Sequence, residues 1–295
     1  MREYTYPLPL GFNIFIMKKI VFALLLLASM QVSAQALKVP VTSPLQTVKQ
    51  QFALSDISVE YSRPGARSRT IFGIVVPFGK IWRTGANGST KITFGDDVTI
   101  EGKAVKAGTY ALYTIPNANE WTFMLYNDLK LGGDVSNYKT ENEVMRFTAK
   151  PLIQKDEVET FTIDMQNILP TSMEIDLVWQ NTRVGFTVNT DIDERIMKNI
   201  QSSVEKDNRP YYQAASYYYD NNKDLTKALE WVSKATEQNP DAYWMWAKKA
   251  QIQAKMGDKK GAILTATKAG ELAKADGDDA YQRITRQIIE ENSKK

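Results

Sequence analysis

The chain has 295 residues, of which 43% are hydrophobic and 24% are charged. This composition is typical of globular proteins and excludes wholesale disorder, and the length predicts two domains. The chain contains no cysteine and no histidine. Disulfides, thiolate nucleophiles, histidine-dependent triads and metal sites built on cysteine or histidine are therefore excluded. The sequence predicts no metal and no cofactor.

An export signal is predicted near the N-terminus. The apolar run Ile20–Ala28 is nine residues long, which is too short to cross a bilayer, since that requires about 20 residues. Two lysines precede it, and the small-residue pattern Val32–Ala34 suits cleavage after Ala34. We expect residues 17–34 to be a signal peptide and residues 1–16 to be an upstream extension from a misassigned start codon. The alternatives are a long basic n-region and a buried core helix.

Removal of this signal changes both the location and the charge. The mature protein is expected to be periplasmic or extracellular, with no stable membrane span. The whole chain has a formal charge of +3, and residues 1–34 contribute a net +2, so the mature chain is close to neutral at about +1. Because a nucleic-acid-binding surface needs a strong excess of basic residues, we expect no nucleic-acid partner.

Residues 46–190 show the period-2 alternation of half-buried strands, rich in β-branched and aromatic residues. The alternating runs are Asp56–Tyr61, Thr90–Phe94, Thr109–Ile115, Glu120–Tyr126, Val158–Met165, Met173–Trp179 and Arg183–Val188. Turn signals lie between them, as at Gln180–Thr182. Roughly nine short strands without intervening helices predict an all-β antiparallel domain, a sandwich or barrel-like, over residues 36–190.

Residues 191–295 show helical periodicity instead. An acidic helix over Asp191–Val204 is predicted to link the two halves. A capping helix is expected over Asp278–Asn292, and Gly257–Asp258 is expected to turn between two helices. The sequence therefore predicts an all-α domain behind the β-rich one.

An internal repeat indicates how these helices are arranged. Aligning Tyr212 with Trp246, at an offset of 34 residues, also aligns Ala228 with Ala262. A 34-residue period with small residues at helix contacts resembles the tetratricopeptide repeat, and it implies two tetratricopeptide-like repeats. The alternative is a generic array of helical hairpins. Such arrays usually hold a protein on their concave surface, so a protein partner is expected.

The β-rich half contains an arginine-rich connection, in which Arg63, Arg67 and Arg69 lie within seven residues. Several motifs in and after it occur together in order. They are Ser62–Pro64, Arg69–Gly73, Val76–Gly79, Trp82–Asn87, Ala107–Pro116 and Glu120–Trp121. Through these motifs, roughly residues 38–190 resemble the domain-of-unknown-function 2911 family of secreted bacterial proteins.

This resemblance implies a β-rich exported domain, in some members followed by tetratricopeptide-like helices, and it implies no established activity. The chain departs from the family pattern at two places. Gly88 stands where the pattern often has glutamate, and Leu131–Gly132 stands where it often has a Trp-Gly pair. A role that requires an acid or a stacking tryptophan at these positions is therefore not expected.

The arginine-rich connection is also the predicted ligand site. A guanidinium binds carboxylate or phosphate bidentately and stacks on aromatic faces, and a tryptophan beside polar donors at a turn often lines a site for a sugar or an anion. The candidate ligand-binding residues are Arg63, Arg69, Trp82, Arg83, Thr84 and Asn87. Under the structural alternative, the arginines pair with nearby acids and the tryptophan belongs to the core. Those acids are Asp56, Glu60 and Asp97.

Three further patterns are interpreted as structural. Asn87–Ser89 is a glycosylation sequon, which matters only in a eukaryotic secretory route. Asp96–Asp97 and Asp134 lack the acid spacing of an EF-hand, so we interpret them as plain turns and not as a calcium site. Acids that could form a glycosidase pair lie in polar segments, where solvated side chains are expected. They are Glu141, Glu143, Asp156, Glu157 and Glu159.

Together these features favour an exported, non-enzymatic protein. Its β-domain is expected to bind a small, anionic or glycan-like ligand, and its helices a protein partner. Two other classes stay open. One is a carboxylate-dependent hydrolase of envelope glycans, marked by two convergent carboxylates about 5–9 Å apart. The other is a purely structural envelope component, in which Arg63, Arg69 and Arg83 would all pair with acids.

Overall fold

The computed structural model describes residues 39–204 and 210–294. The predicted signal peptide and the upstream extension lie outside these residues. The strands and helices belong to one compact unit that begins at Leu45. Within it, a β-rich part is followed by a helical part, as the periodicity of the sequence predicts.

The β-rich part consists of two antiparallel sheets. The strands are β1 (Leu45–Phe52), β2 (Ser55–Ser62), β3 (Thr90–Phe94), β4 (Val98–Ile100), β5 (Lys103–Val105), β6 (Gly108–Ile115), β7 (Trp121–Tyr126), β8 (Glu143–Ala149), β9 (Leu152–Gln166) and β10 (Ser172–Asn189). One sheet has the order β1-β2-β3-β6-β7-β8 and the other β5-β4-β10-β9. The barrel alternative is wrong, because the two sheets keep separate edge strands and do not close on each other.

The alternation along the strands places a shared hydrophobic core between the two sheets. In β3, Ile92 and Phe94 are buried, while the alternate residues Lys91 and Thr93 are half-exposed. Ile92 from the six-stranded sheet and Ile163 from the four-stranded sheet belong to one hydrophobic cluster. The rings of Phe123 and Phe186 meet across the sheets with their centroids 5.3 Å apart. Burial of this apolar surface is the main contribution to the stability of the β-rich part.

The long strand β10 folds back on itself. Gln180 has a left-handed φ of 49°, at the turn that the sequence predicts between two shorter runs. Beyond this turn, Gly185 lies beside the first half of the same strand. A Cβ added at Gly185 would overlap Asp176 Oδ1 and lie 2.8 Å from the Ile175 carbonyl oxygen. Glycine is therefore required at this close approach.

A loop between β7 and β8 covers the outer face of the six-stranded sheet. This β7–β8 loop spans residues 127–142 and contains two short 3-10 helices. Its Tyr138 stacks on Tyr126 with ring centroids 4.5 Å apart, and Tyr113 contacts both rings. These three tyrosines belong to a second hydrophobic cluster, which holds the β7–β8 loop against β6 and β7.

Six helices follow in the described residues. They are α1 (Asp193–Val204), α2 (Tyr211–Asp220), α3 (Leu225–Gln238), α4 (Tyr243–Lys255), α5 (Lys259–Asp276) and α6 (Asp279–Ser293). Asp224, Asp258 and Asp278 cap α3, α5 and α6 by accepting backbone N–H bonds. Gly277, at φ 80°, ends α5. None of the described helices is long and apolar enough to cross a membrane.

The helices have a hydrophobic cluster separate from that of the sheets, with Ala215, Ala228 and Val232 fully buried in it. The two parts also touch, because Arg195 on α1 forms a 2.8 Å ion pair with Asp96. The helix order and the turn at Gly257–Asp258 agree with the expected hairpins. The tetratricopeptide-like arrangement and the domain boundary at residue 190 stay predictions.

Candidate functional site

The predicted site residues lie on the connection between β2 and β3, and two of them tie this connection to neighbouring backbone. Arg63 donates from Nε to the Phe161 carbonyl oxygen (3.0 Å) and from its terminal nitrogen to Thr162 Oγ1 (2.7 Å). Arg69 donates to the carbonyl oxygens of Ala66 (2.9 Å) and Gly65 (2.8 Å). The Arg63 side chain thus binds β9, and that of Arg69 holds the turn of its own connection.

Trp82 belongs to the core, as the structural alternative proposed. Its side chain is only 8% exposed, and the indole stacks on Trp179 with centroids 6.0 Å apart. Phe161 contacts the same indole at 5.2 Å, and Nε1 donates to the Gly85 carbonyl oxygen at 3.0 Å. The predicted role of this ring as a ligand-stacking face is not supported, because its faces are occupied by other aromatic residues.

Thr84 is fully buried beneath the same turn. Its Oγ1 lies 3.0 Å from Thr114 Oγ1, and its carbonyl oxygen accepts from Thr90 Oγ1 at 2.5 Å. It has a φ of 56°, which is a strained conformation for a β-branched residue. Thr84 therefore shapes the turn and does not line its surface.

Arg83 and Asn87 are the two predicted residues that the turn brings together at the surface. Arg83 is half-buried and donates to the Asn87 carbonyl oxygen at 2.7 Å. The Asn87 amide donates to Ser62 Oγ at 3.2 Å, which connects the turn to the end of β2. Arg83 is therefore held by the backbone of its own turn.

The sequence analysis did not predict that the β7–β8 loop lies directly against Arg83. A Cβ added at Gly133 would overlap the Arg83 guanidinium and the Asn87 carbonyl oxygen, so only glycine fits without displacement. The neighbouring Gly132 carbonyl oxygen accepts from the Tyr113 hydroxyl at 2.7 Å. Gly132 lies in the segment where the chain departs from the family pattern, and that departure was the only available signal.

Polar groups surround Arg83 beneath and beside this loop. Burial raises the pKa of Tyr113, while the adjacent Ser89 hydroxyl and the Arg83 charge act in the opposite direction. The pKa of the exposed Asp134 carboxyl is lowered by hydrogen bonds from Ser136 and also by the Arg83 charge. Asp134 also lines a cavity of about 370 Å³ formed by the β7–β8 loop.

The acids that the structural alternative assigned to the arginines bond lysines instead. Those ion pairs are Asp56–Lys49 (2.9 Å), Glu60–Lys91 (3.2 Å) and Asp97–Lys106 (2.7 Å). Over residues 39–204 and 210–294, no carboxylate lies within salt-bridge distance of Arg63, Arg69 or Arg83. The three guanidinium groups donate to neutral acceptors and form no direct ion pair, although the Asp134 carboxylate lies near enough to Arg83 to feel its charge.

The acids named as other candidates are bound by protein donors or lie apart. Asp96 pairs with Arg195 and Asp97 with Lys106, whereas Asp134 lies in the β7–β8 loop. The described residues contain no group of three or more acids that could hold a metal ion. Other acids with protein donors are Glu143, Glu157 and Glu159.

A carboxylate cluster that the sequence analysis missed lies on the four-stranded sheet. Asp176 is 4% exposed and forms a close ion pair with Arg183, and Glu174 lies 4.0 Å from the same guanidinium. The Asp176 hydrogen bond raises the pKa of Arg183. All three residues line a cavity of about 290 Å³. The back-folding of β10 brings these residues together, although seven positions separate Asp176 from Arg183.

The fold and the site define a two-sheet antiparallel β domain that presents an arginine-bearing turn under a covering loop. Residues 43–188 match the family model described as "Protein of unknown function (DUF2911)". This match confirms the predicted resemblance over the β-rich part and ends before α1 begins. No curated protein and no solved structure matches the chain. The family description assigns no activity.

Proposed function

We propose that this is an exported, non-enzymatic binding protein. Its β-rich domain binds a small anionic or glycan-like ligand beside Arg83, and its helices hold a protein partner. The observation that carries the proposal is the pairing pattern of the charged residues around the β2–β3 connection. Arg63, Arg69 and Arg83 donate to neutral oxygens, while the nearby acids Asp56, Glu60 and Asp97 bond lysines. A guanidinium that is not engaged in a direct ion pair can bind a carboxylate or phosphate group.

Arg83 is the best placed of the three arginines for this role. It is half-buried between two loops, so little conformational entropy is lost when it binds a ligand, and its fork retains N–H donors beyond the bond to Asn87. The β7–β8 loop that packs on Arg83 also forms a cavity of about 370 Å³, which is lined by lysines and carboxylates, including Lys130, Lys139 and Asp134, but not by Arg83 itself. Donors and acceptors together suit a sugar that bears an acidic group, and the volume is in the usual range for small-molecule sites.

A ligand screen with a matched pair of variants tests this proposal. Thermal-shift measurements on residues 35–295 against uronic acids, phosphorylated sugars and peptidoglycan fragments should identify a ligand, and calorimetry should give its affinity. Arg83→Gln should weaken that ligand by about 1–3 kcal/mol, the cost of losing a hydrogen bond to a charged group. Lys80→Gln removes an exposed charge from the same connection and should leave the affinity unchanged.

Arg83→Gln should also have little effect on stability, about 0–1 kcal/mol, because no buried acid is left unpaired. A loss near 3–5 kcal/mol, which is typical of a broken buried pair, together with no ligand in the screen, would show that the turn is structural. Equal affinity losses in both variants would show that the effect is general electrostatics and not a site at Arg83.

We propose a tetratricopeptide-like arrangement for the helices. The pairs of positions at the 34-residue offset have matching environments: Ala228 and Ala262 are both fully buried, and so are Ala235 and Ala269. They occupy equivalent places on α3 and α5, each the second helix of a hairpin. Small residues at such positions let neighbouring helices approach closely, which supports the proposed repeat.

A hydrolase of envelope glycans is the second candidate function. The observation in its favour is that Glu174 and Asp176 share one cavity of about 290 Å³, as two cooperating carboxylates would. Both flank the Arg183 guanidinium, which also suits a purely structural role. This function would be established if the protein hydrolyses peptidoglycan and if Glu174→Gln abolishes the hydrolysis without changing the melting temperature. The structural-component class lacks its expected mark, since the three arginines do not pair with acids in the described residues.

A further inference from the structure

The helical part pairs lysines with aromatic rings at several places, and one pair of lysines differs from the rest. Four of these lysines have another partner: Lys223, Lys234 and Lys248 bond a carboxylate, and Lys255 bonds a carbonyl oxygen. Lys249 and Lys268 both lie over the ring of Trp246. In the described part of the chain, neither has an ion pair or a hydrogen bond besides this contact.

The geometry brings two positive charges to one indole. Lys268 on α5 places Nζ 3.6 Å from the Trp246 centroid, and Lys249 on α4 places Nζ 5.3 Å from it. The indole is fixed from its other end, since Nε1 donates to the Pro240 carbonyl oxygen at 2.8 Å. Burial lowers the pKa of Lys249, the Glu237 charge opposes this, and the Lys268 charge lowers it by a smaller amount. The two ammonium groups therefore repel each other, and the nearby Glu237 carboxylate compensates only part of the Lys249 charge because it forms no ion pair with it in the described residues.

The surrounding segment is strongly basic, although the mature chain is close to neutral. From Trp246 through Lys274, both included, the chain contains seven lysines and two acids, Asp258 and Glu271. A concentration of one charge sign on two neighbouring helices attracts a partner of the opposite sign and accelerates its association.

We propose that Trp246, Lys249 and Lys268 form a docking site for an acidic segment of a partner protein. This inference rests on the proposed function in one respect, that the helices hold a protein partner, and it adds the chemistry of that partner. A carboxylate accepts hydrogen bonds from both ammonium groups and removes their repulsion, while the indole keeps them in position. A protein segment is favoured over a nucleic acid because the mature chain has almost no net positive charge.

The binding of a labelled hexaglutamate peptide to residues 35–295, followed by fluorescence anisotropy, tests the site directly. Hexaglutamine serves as the uncharged peptide. Lys249→Gln and Lys268→Gln should each weaken hexaglutamate binding about fivefold or more, the scale of a lost charged hydrogen bond. Lys274→Gln removes an exposed charge from the same helix α5 and should change the affinity less than about twofold. The binding should weaken as salt is raised.

Three results would overturn the inference. Hexaglutamate could bind no better than hexaglutamine, Lys274→Gln could weaken binding as much as Lys268→Gln, or an oligothymidine could bind more tightly than hexaglutamate and lose its affinity in the same variants. The last result would indicate a nucleic-acid surface.

A second measurement separates this inference from the proposed function. A photo-crosslinking residue at Leu264, which is 75% exposed on α5, reports any protein bound to the helices in the producing cells. If a protein is crosslinked and Lys249→Gln and Lys268→Gln do not reduce its amount, the acidic docking site is refuted, while the proposal that the helices hold a protein partner stands. The absence of any crosslinked protein, together with failed peptide binding, would refute both.

Discussion

Replacing Gly133 with alanine would disturb the contact that holds Arg83 between two loops. A Cβ at this position overlaps the Arg83 guanidinium and the Asn87 carbonyl oxygen. The guanidinium is the end of a flexible side chain and can rotate away at small cost. The carbonyl oxygen belongs to a turn in which Asn87 has a φ of 59°, so it cannot move without shifting the turn or the β7–β8 loop. Overpacking of this kind costs about 1–3 kcal/mol.

Thermal unfolding, followed by near-ultraviolet circular dichroism of the aromatic core, measures this cost. For a domain of this size each kcal/mol lowers the melting temperature by roughly 2–4 °C, so Gly133→Ala should lower it by roughly 2–12 °C. Gly88→Ala is the matched control in the adjoining turn, because a Cβ there meets nothing within 4 Å. That control should be neutral or stabilising by about 0.4–1 kcal/mol, since alanine restricts the unfolded chain.

A double variant distinguishes the two contacts. Arg83→Ala removes the guanidinium, so in the Gly133→Ala background it should restore only part of the lost stability, because the Asn87 carbonyl oxygen remains. Equal melting temperatures for Gly133→Ala and Gly88→Ala would refute the reasoning. Complete recovery in the double variant would show that the backbone contact contributes nothing.

The remaining predictions concern other parts of the molecule. Asp176→Asn should lower the free energy of unfolding, measured in urea, by about 1–3 kcal/mol. This is less than the loss expected when a fully buried ion pair is broken, because Arg183 is partly exposed. Hydrogen bonds from Arg146 lower the pKa of Glu143. The ionised Glu143 carboxylate therefore stabilises the fold fully above its ordinary pKa of 4.5, and this stabilisation is lost as the pH falls through the lowered pKa. In acid melts, Glu143→Gln should remove this part of the pH dependence, and an unchanged slope would contradict it. Residues 36–190 alone should melt cooperatively, and an aggregated fragment would indicate a core shared with the helices. Mass spectrometry of the protein purified from the producing cells should find Gln35 at its N-terminus, and recovery of intact residues 2–16 would exclude the predicted cleavage.

Much of the secondary structure could be predicted from local patterns. The alternation of Met173–Trp179 and the turn signal at Gln180 correspond to the first half of β10 and its fold-back. The edge strand β1 was missed, because only Phe52 of its residues is buried. Its conformation depends on pairing with β2, and its own sequence shows almost no hydrophobic alternation.

The candidate site was predictable only in part. The sequence located the arginine-bearing turn and offered acids as partners, because opposite charges are the visible signal. The partners found are backbone carbonyl oxygens, such as that of Phe161 for Arg63. Every residue carries such an oxygen, so its use as an acceptor has no signature in the sequence.

The sequence by itself determined the class of each part: residue alternation defined antiparallel strands, and a longer periodicity defined the helices. The tertiary structure decided which side chains are available at the site. Trp82 is buried because Phe161 and Trp179 arrive from distant strands, and Arg83 is held because the β7–β8 loop approaches it at Gly133. Local periodicity reports which face of an element is apolar, whereas only the packing of elements distant in the chain determines what covers that face.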